Sequence, residues 1–317
     1  MYNVAILGCG RHGRGHNWAK APDCRVVAVC DLDEQRARER AETYGVPFYV
    51  DADEMFEKEK IDIVDAPVRE QNRFEVVMKC LKYGKHIYTE KPLGGEEGQM
   101  KIKLTDLPKA RAMIDEWQKS GVQLGVCFCL HGTDNIRWMK EQIRTGEYGE
   151  PVAVSARAFS GTWPHLVEMF RYLGGEVDEV FGHADEAWRS RSATVRFANG
   201  AVGNLMTSAP MALQYQIKWI GQQGELQVDD ITGVARGRLK SGEERALPEG
   251  SAWGAMLSQH IADFVASIKE RRRFVADGWA GLRQMELDAA ISESIMTGRP
   301  VKVERYKPEQ GRTVFSE

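Results

Sequence analysis

Short apolar runs and charge-rich polar stretches alternate through the first third of the chain. Residues 3–7, 25–30, 61–66, 86–89 and 124–129 are the apolar runs, rich in Val and Ile. Runs this short and this continuous suit strands buried on both faces, as in a parallel sheet. Between them lie helix-like stretches, such as residues 33–44 and 72–83. Alternating strand and helix predicts βαβ units and an α/β fold.

A glycine turn falls at a telling place in that pattern. Gly8-Cys9-Gly10-Arg11-His12-Gly13 follows the first predicted strand and is expected to open a helix. In such a turn the first glycine permits the tight bend, the second admits a pyrophosphate to the backbone, and the third lets helix and strand pack closely. Arg11 and His12 complete the turn, whose N–H groups would face the phosphates. Asp31 ends the second apolar run. A carboxylate there can accept hydrogen bonds from both ribose hydroxyls and repels a 2′-phosphate, so NAD is favoured; nearby Arg36 and Arg38 keep NADP open.

Composition sets the frame for this half. A chain of 317 residues suits two domains. A formal net charge of −3 shows no basic excess for nucleic acid, and no apolar run is long enough to span a bilayer. The first residues read as a strand rather than a secretion signal. All six cysteines lie between Cys9 and Cys129. That distribution does not suit a disulfide framework, so free thiols and a cytoplasmic location are expected.

Downstream, Gly84-Lys85-His86-Ile87-Tyr88-Thr89-Glu90-Lys91-Pro92 closes the fourth run. Together with the glycine turn, its Glu-Lys-Pro resembles the signature of the Gfo/Idh/MocA oxidoreductases. Residues 221–228, 259–264 and 281–301 resemble that family's sheet-edge segment and last helices. The resemblance implies an N-terminal Rossmann domain, residues 1–127, and then an α+β domain with a mostly antiparallel open sheet, residues 128–317. It further implies a homo-oligomer joined through that sheet, no metal, and a dehydrogenase or reductase that moves a hydride between NAD(P) and a carbinol carbon of a sugar, cyclitol or polyol. Lys91, at the carboxyl end of a parallel strand, would lie in the ligand crevice, where it or a histidine would exchange the hydroxyl proton, or where, still charged, it would bond the reacting oxygen. Glu90 would face structure or the cofactor, and Pro92 could follow a cis bond.

In the second half, Ser160-Gly161-Thr162-Trp163-Pro164-His165-Leu166-Val167-Glu168 matches the family's catalytic-histidine stretch. His165 takes the place of the catalytic His, while Gly161 stands where the family has Asp. Glu168, one helical turn on, could orient the imidazole or touch ligand. Trp163 is a candidate sugar platform, with a packed core Trp as the alternative. The Gly161 departure leaves two rivals open: a glycosidase of the same fold working by transient oxidation, and a silent dinucleotide-binding regulator.

The remaining signals are weaker. Cys127, Cys129 and His131 alternate, so an extended strand would put all three on one face. Zinc ligation by them is conceivable, although small buried cysteines explain the pair and His131 could line the substrate pocket. Arg69 or Arg73 could reach an acidic group, solvent-facing arginines being the simpler reading. Residues 269–273 suit a solvated helix end. Residues 93–109 read as a longer mobile loop beside the site, or as a plain surface insertion.

Overall fold

The computed structural model describes residues 1–209, 215–230, 233–247, 250 and 253–307. Its first sheet has six strands: β1 (Tyr2–Leu7), β2 (Cys24–Cys30), β3 (Phe48–Tyr49), β4 (Ile63–Ala66), β5 (His86–Thr89) and β6 (Leu124–Val126). All pairings are parallel, in the order β3-β2-β1-β4-β5-β6. That is the Rossmann half expected from the continuous apolar runs. β4 is buried at all four residues, as a strand covered on both faces must be.

Helices α1 (Glu34–Tyr44), α2 (Ala52–Lys58), α3 (Arg73–Lys82) and α4 (Leu107–Ser120) connect these strands. Asp33 caps α1 by accepting from Arg36 N, and Gly45 closes it in the left-handed region at φ 66°. The turn after β1 differs from expectation. In place of an α-helix, residues His12–Gly15 form one 3-10 turn. Glycines at 10, 13 and 15 leave little intrinsic helix propensity there.

After α5 (Asp134–Arg144) comes the second sheet. Its strands are β7 (Pro151–Phe159), β8 (Val177–Ala184), β9 (Arg191–Phe197), β10 (Val202–Ser208), β11 (Gln216–Gly221), β12 (Gly224–Val228), β13 (Ala235–Leu239), β14 (Glu244–Leu247) and β15 (Val301–Lys302). They run β14-β13-β12-β11-β7-β10-β9-β8-β15, antiparallel except for β7 with β10. In β9 every second residue is buried and those between are partly or fully exposed, which marks a sheet packed on one face. Helix α6 (Trp163–Gly174) shares the buried core on that face.

Helices α7 (Trp253–Glu270) and α8 (Gly278–Thr297) return to the first half. Ile261, Phe264, Phe274, Leu282 and Met285 join the core of the first sheet, while Leu287, Ala290 and Ile291 join that of the second. Val126 N donates to Ala276 O at 2.7 Å, covering the edge of β6. One long helix, α8, therefore packs into both cores and joins the two halves. Among the described residues, no helix is long and apolar enough to cross a membrane.

Candidate active site

The glycine turn and Asp31 form one backbone unit at the carboxyl ends of β1 and β2. Gly8 sits at φ 108°, a conformation that favours glycine. A Cβ on Gly13 would stand 2.5 Å from Pro67 Cγ, so the third glycine serves close approach of the loop after β4. A Cβ on Gly10 would meet nothing within 4 Å. That leaves open space at the second glycine, where a pyrophosphate must come against the backbone. Asp31 Oδ2 accepts from Cys9 N at 2.7 Å and Oδ1 from Asp33 N at 2.9 Å. Each carboxylate oxygen keeps a further lone pair for a ribose hydroxyl. Arg11 and His12 are exposed beside the turn. Arg36 and Arg38 pair with Asp33 (3.1 Å) and Glu34 (2.7 Å), which occupies the two cations that could have met a 2′-phosphate. These residues fit NAD.

At the end of β5 a buried charge relay surrounds Glu90 and Lys91. His16 Nδ1 lies 2.8 Å from Asp65 Oδ1, and its Nε2 lies 3.2 Å from Glu90 Oε1. Burial alone would lower the His16 pKa, but Asp65, with Cys127 and Glu90, raises it well above the ordinary value. Burial works the other way on Glu90, and His16, Lys91 and Arg73 outweigh it to hold that carboxyl well below its usual range. Lys91 Nζ stands 4.0 Å from Glu90 Oε2 and donates to Gln99 Oε1 at 2.7 Å. The Lys91–Pro92 peptide bond is cis.

His165 enters the same space from α6. It is buried, its ring edge-on to Phe128 at 6.2 Å, and its Nδ1 has no hydrogen-bond partner. Burial first, then the Lys91 charge, lowers its pKa to about 3, so it stands as a neutral imidazole. Lys91 of the first half thus lies near enough for its charge to act on the imidazole of His165 from the second.

Four expectations need correction. Cys127, Cys129 and His131 do not share a strand face, because β6 ends at Val126 and Cys129–Gly132 is a 3-10 turn. Cys127 instead comes within 4.8 Å of the ligating atoms of His16 and Glu90, while His131 Nε2 reaches Glu168 Oε1 at 3.4 Å. Glu168 does not orient His165. It takes a bidentate pair from Arg171, 2.9 and 2.8 Å, in a fully buried position. Trp163 is not an open platform: its indole is buried, donates to Asp288 at 2.7 Å and carries the Arg191 guanidinium 4.3 Å above its ring. Arg73 is no surface arginine. Buried, it clamps the carbonyls of Pro92 and Val68 and so supports the Lys91 loop. Arg69 is exposed, as the simpler reading had it.

Residues 93–109 are pinned rather than loose. Gln99 N donates to Glu70 at 2.8 Å and Arg191 donates to the Met100 carbonyl. Arg272 and Arg273 of the basic run pair with Asp263 (2.9 Å) and Asp277 (2.7 Å). His16, Asp65, Gln99 and Asp288 also contribute to this region, although no sequence motif marks them. His16 stands three residues after Gly13 and was legible as an imidazole beside the turn; the others carry no local signal.

Comparison with known proteins is consistent with this geometry. Residues 2–128 match the GFO_IDH_MocA model, described as an oxidoreductase family with an NAD-binding Rossmann fold. The chain is 25% identical to myo-inositol 2-dehydrogenase of Thermotoga maritima, over 95% of this chain and 98% of the relative. It is 23% identical to inositol 2-dehydrogenase of Rubrobacter xylanophilus, over 96% and 94%. Among solved structures, a probable dehydrogenase from Thermotoga maritima superposes with a TM-score of 0.79 at 25% identity, covering 95% of this chain and 98% of that one. Levoglucosan dehydrogenase in complex with NADH shares the fold, with a TM-score of 0.85 at 19% identity over 96% and 100%.

Proposed function

The chain belongs, through its NAD-binding domain, to the GFO_IDH_MocA oxidoreductase family, and on that premise we propose that it is an NAD-dependent dehydrogenase of a cyclitol, sugar or related polyol. The observation that carries this is the glycine turn joined to Asp31 at the ends of β1 and β2, with open space at Gly10, next to the Glu90–Lys91 pair at the end of β5. The relatives named above as inositol 2-dehydrogenases put a cyclitol first among substrates.

When bound, NAD supplies the acceptor for a hydride from the carbinol carbon. The residues of this chain do the rest. Gly8, Gly10, Arg11, His12 and Gly13 would receive the pyrophosphate, Asp31 would receive the ribose hydroxyls, and Glu90 would line the side of the site next to Lys91. The Lys91 ammonium donates to the substrate oxygen, stabilising the charge that develops as its proton leaves. His165, unprotonated at neutral pH, takes that proton. Residues 1–127 serve the cofactor and residues 128–317 select the substrate. His131, Trp163 and Glu168 act from behind the pocket wall, through Tyr172, Asp288 and Arg171.

The second sheet supports a homo-oligomer. Its face away from α6 carries exposed Val202, Met206 and Ile220, an apolar set that a second copy would cover. The six thiols, all free, suit a reducing cytoplasm.

The test is turnover of myo-inositol and a panel of sugars and polyols with NAD, read by NADH absorbance. Activity on one of them, abolished in Lys91→Met, supports the reading. No turnover of any, with aglycone released from glycosides instead, would replace it with the glycosidase reading.

A further inference from the structure

Lys91 is not held by its own strand alone. Its ammonium donates to the side-chain carbonyl of Gln99, 2.7 Å away. Gln99 sits in the stretch between Pro92 and α4, and that stretch is fastened to both halves of the chain. On the first half, Gln99 N donates to Glu70 Oε1 at 2.8 Å, and within the stretch Asp106 accepts from Glu96 N (3.1 Å) and Lys103 N (2.8 Å). On the second half, Arg191 of β9 donates to the Met100 carbonyl, and Lys101 lies 4.9 Å over the Trp188 ring. The same Arg191 covers Trp163, two residues before His165.

We propose that Gln99 is the positioning residue for Lys91. A lysine side chain has about 2 kcal/mol of rotamer entropy to lose. A fixed carbonyl at hydrogen-bond distance confines the ammonium to one place before substrate arrives, and a reacting group held in position reacts faster than one that must be found. A single carbonyl oxygen takes one of the three ammonium N–H groups, which leaves the others for the substrate oxygen. Since Arg191 touches both Met100 and Trp163, the stretch carrying Gln99 and the helix carrying His165 share an anchor. This inference rests on the reading of Lys91 as the group that meets the substrate oxygen.

The test compares the full chain with Gln99→Leu and Gln99→Glu. Gln99→Leu should lower kcat roughly tenfold or more, with NAD affinity and the melting temperature unchanged. Gln99→Glu keeps an acceptor, so it should restore most of kcat, and its carboxylate should move the alkaline limb of the pH profile upward. A readout independent of turnover is the rate of Lys91 acetylation by acetic anhydride, followed by peptide mass spectrometry. It should rise severalfold in Gln99→Leu and not in Gln99→Glu. Unchanged acetylation in Gln99→Leu, or a loss of kcat that Gln99→Glu does not recover, overturns the proposal. If the native chain turns over no polyol, the dehydrogenase reading fails, while the acetylation rates still decide the role of Gln99.

Discussion

The Trp163 indole N–H donates to Asp288 Oδ1 across 2.7 Å and ties the start of α6 to the middle of α8. Gln284 adds a second donor to the same carboxylate at 3.2 Å. Burial pushes the Asp288 pKa from 3.8 to about 6, against the pull of Arg191, Trp163 and Gln284. The folded chain therefore holds a proton that the unfolded chain releases between about pH 4 and pH 6. Ionising Asp288 costs stability as pH rises through that window, by up to about 3 kcal/mol for roughly two units. Asp288→Asn cannot ionise and should gain stability relative to the native chain between pH 4 and pH 7. Denaturant melts of both proteins at those two pH values measure it; a constant difference would refute the assignment.

Glu168 is buried with Arg171 forked onto both of its oxygens. Removing Glu168 leaves Arg171 with Glu176 alone, 2.6 Å away, and takes away the partner of His131, at a cost of about 1–3 kcal/mol. Glu168→Ala should therefore unfold at markedly lower denaturant concentration even with no substrate present. A variant that keeps native stability and loses only substrate affinity would return Glu168 to the ligand-contact role expected from the sequence.

What the sequence made legible was whatever depends on neighbours along the chain. Continuous apolar runs gave five of the six parallel strands; β3, at Phe48–Tyr49, is too short to show a pattern. The glycine turn, Asp31 and Lys91 were legible because each has a local backbone reason to be where it is. Misreadings arose where partners come from afar. Trp163 meets Asp288 across 125 positions and Arg191 meets Met100 across 91, and no local spacing encodes either. The alternation of Cys127, Cys129 and His131 misled because Phe128 N turns back onto Val126 O at 2.6 Å, ending the strand.

The chemistry assigned to Lys91 and His165 has its own pH signature. With His165 lowered to about 3 by burial and by Lys91, the imidazole is already neutral throughout the range of ordinary assays. The acid limb of kcat/KM should then show no inflection near the ordinary histidine value, about 6.5. Lys91→Met removes a like charge and should raise the His165 pKa, which two-dimensional NMR of the ring can follow. His165→Ala should lower kcat by about 10²–10⁴-fold, the range for a positioned base. A clear inflection near 6.5 in the native enzyme that vanishes in His165→Ala would show that the imidazole is not held neutral.

The two glycines at 10 and 13 should fail in different ways when a methyl group is added. At Gly13 the new Cβ would lie 2.5 Å from Pro67 Cγ and 3.1 Å from Pro67 Cβ, and a proline ring has little room to swing aside. Gly13→Ala should thus destabilise the cofactor-free protein by about 1–3 kcal/mol, as overpacking does. At Gly10 the added methyl meets no protein atom within 4 Å. Gly10→Ala should keep native stability without cofactor, yet place a methyl where the pyrophosphate must approach the backbone. Its NAD affinity, measured by calorimetry, should fall at least tenfold, and the thermal stabilisation by NAD should shrink with it. Equal loss of apo stability in both variants would mean that the turn is a packing device throughout. Unchanged NAD affinity in Gly10→Ala would remove the glycine turn from the cofactor site.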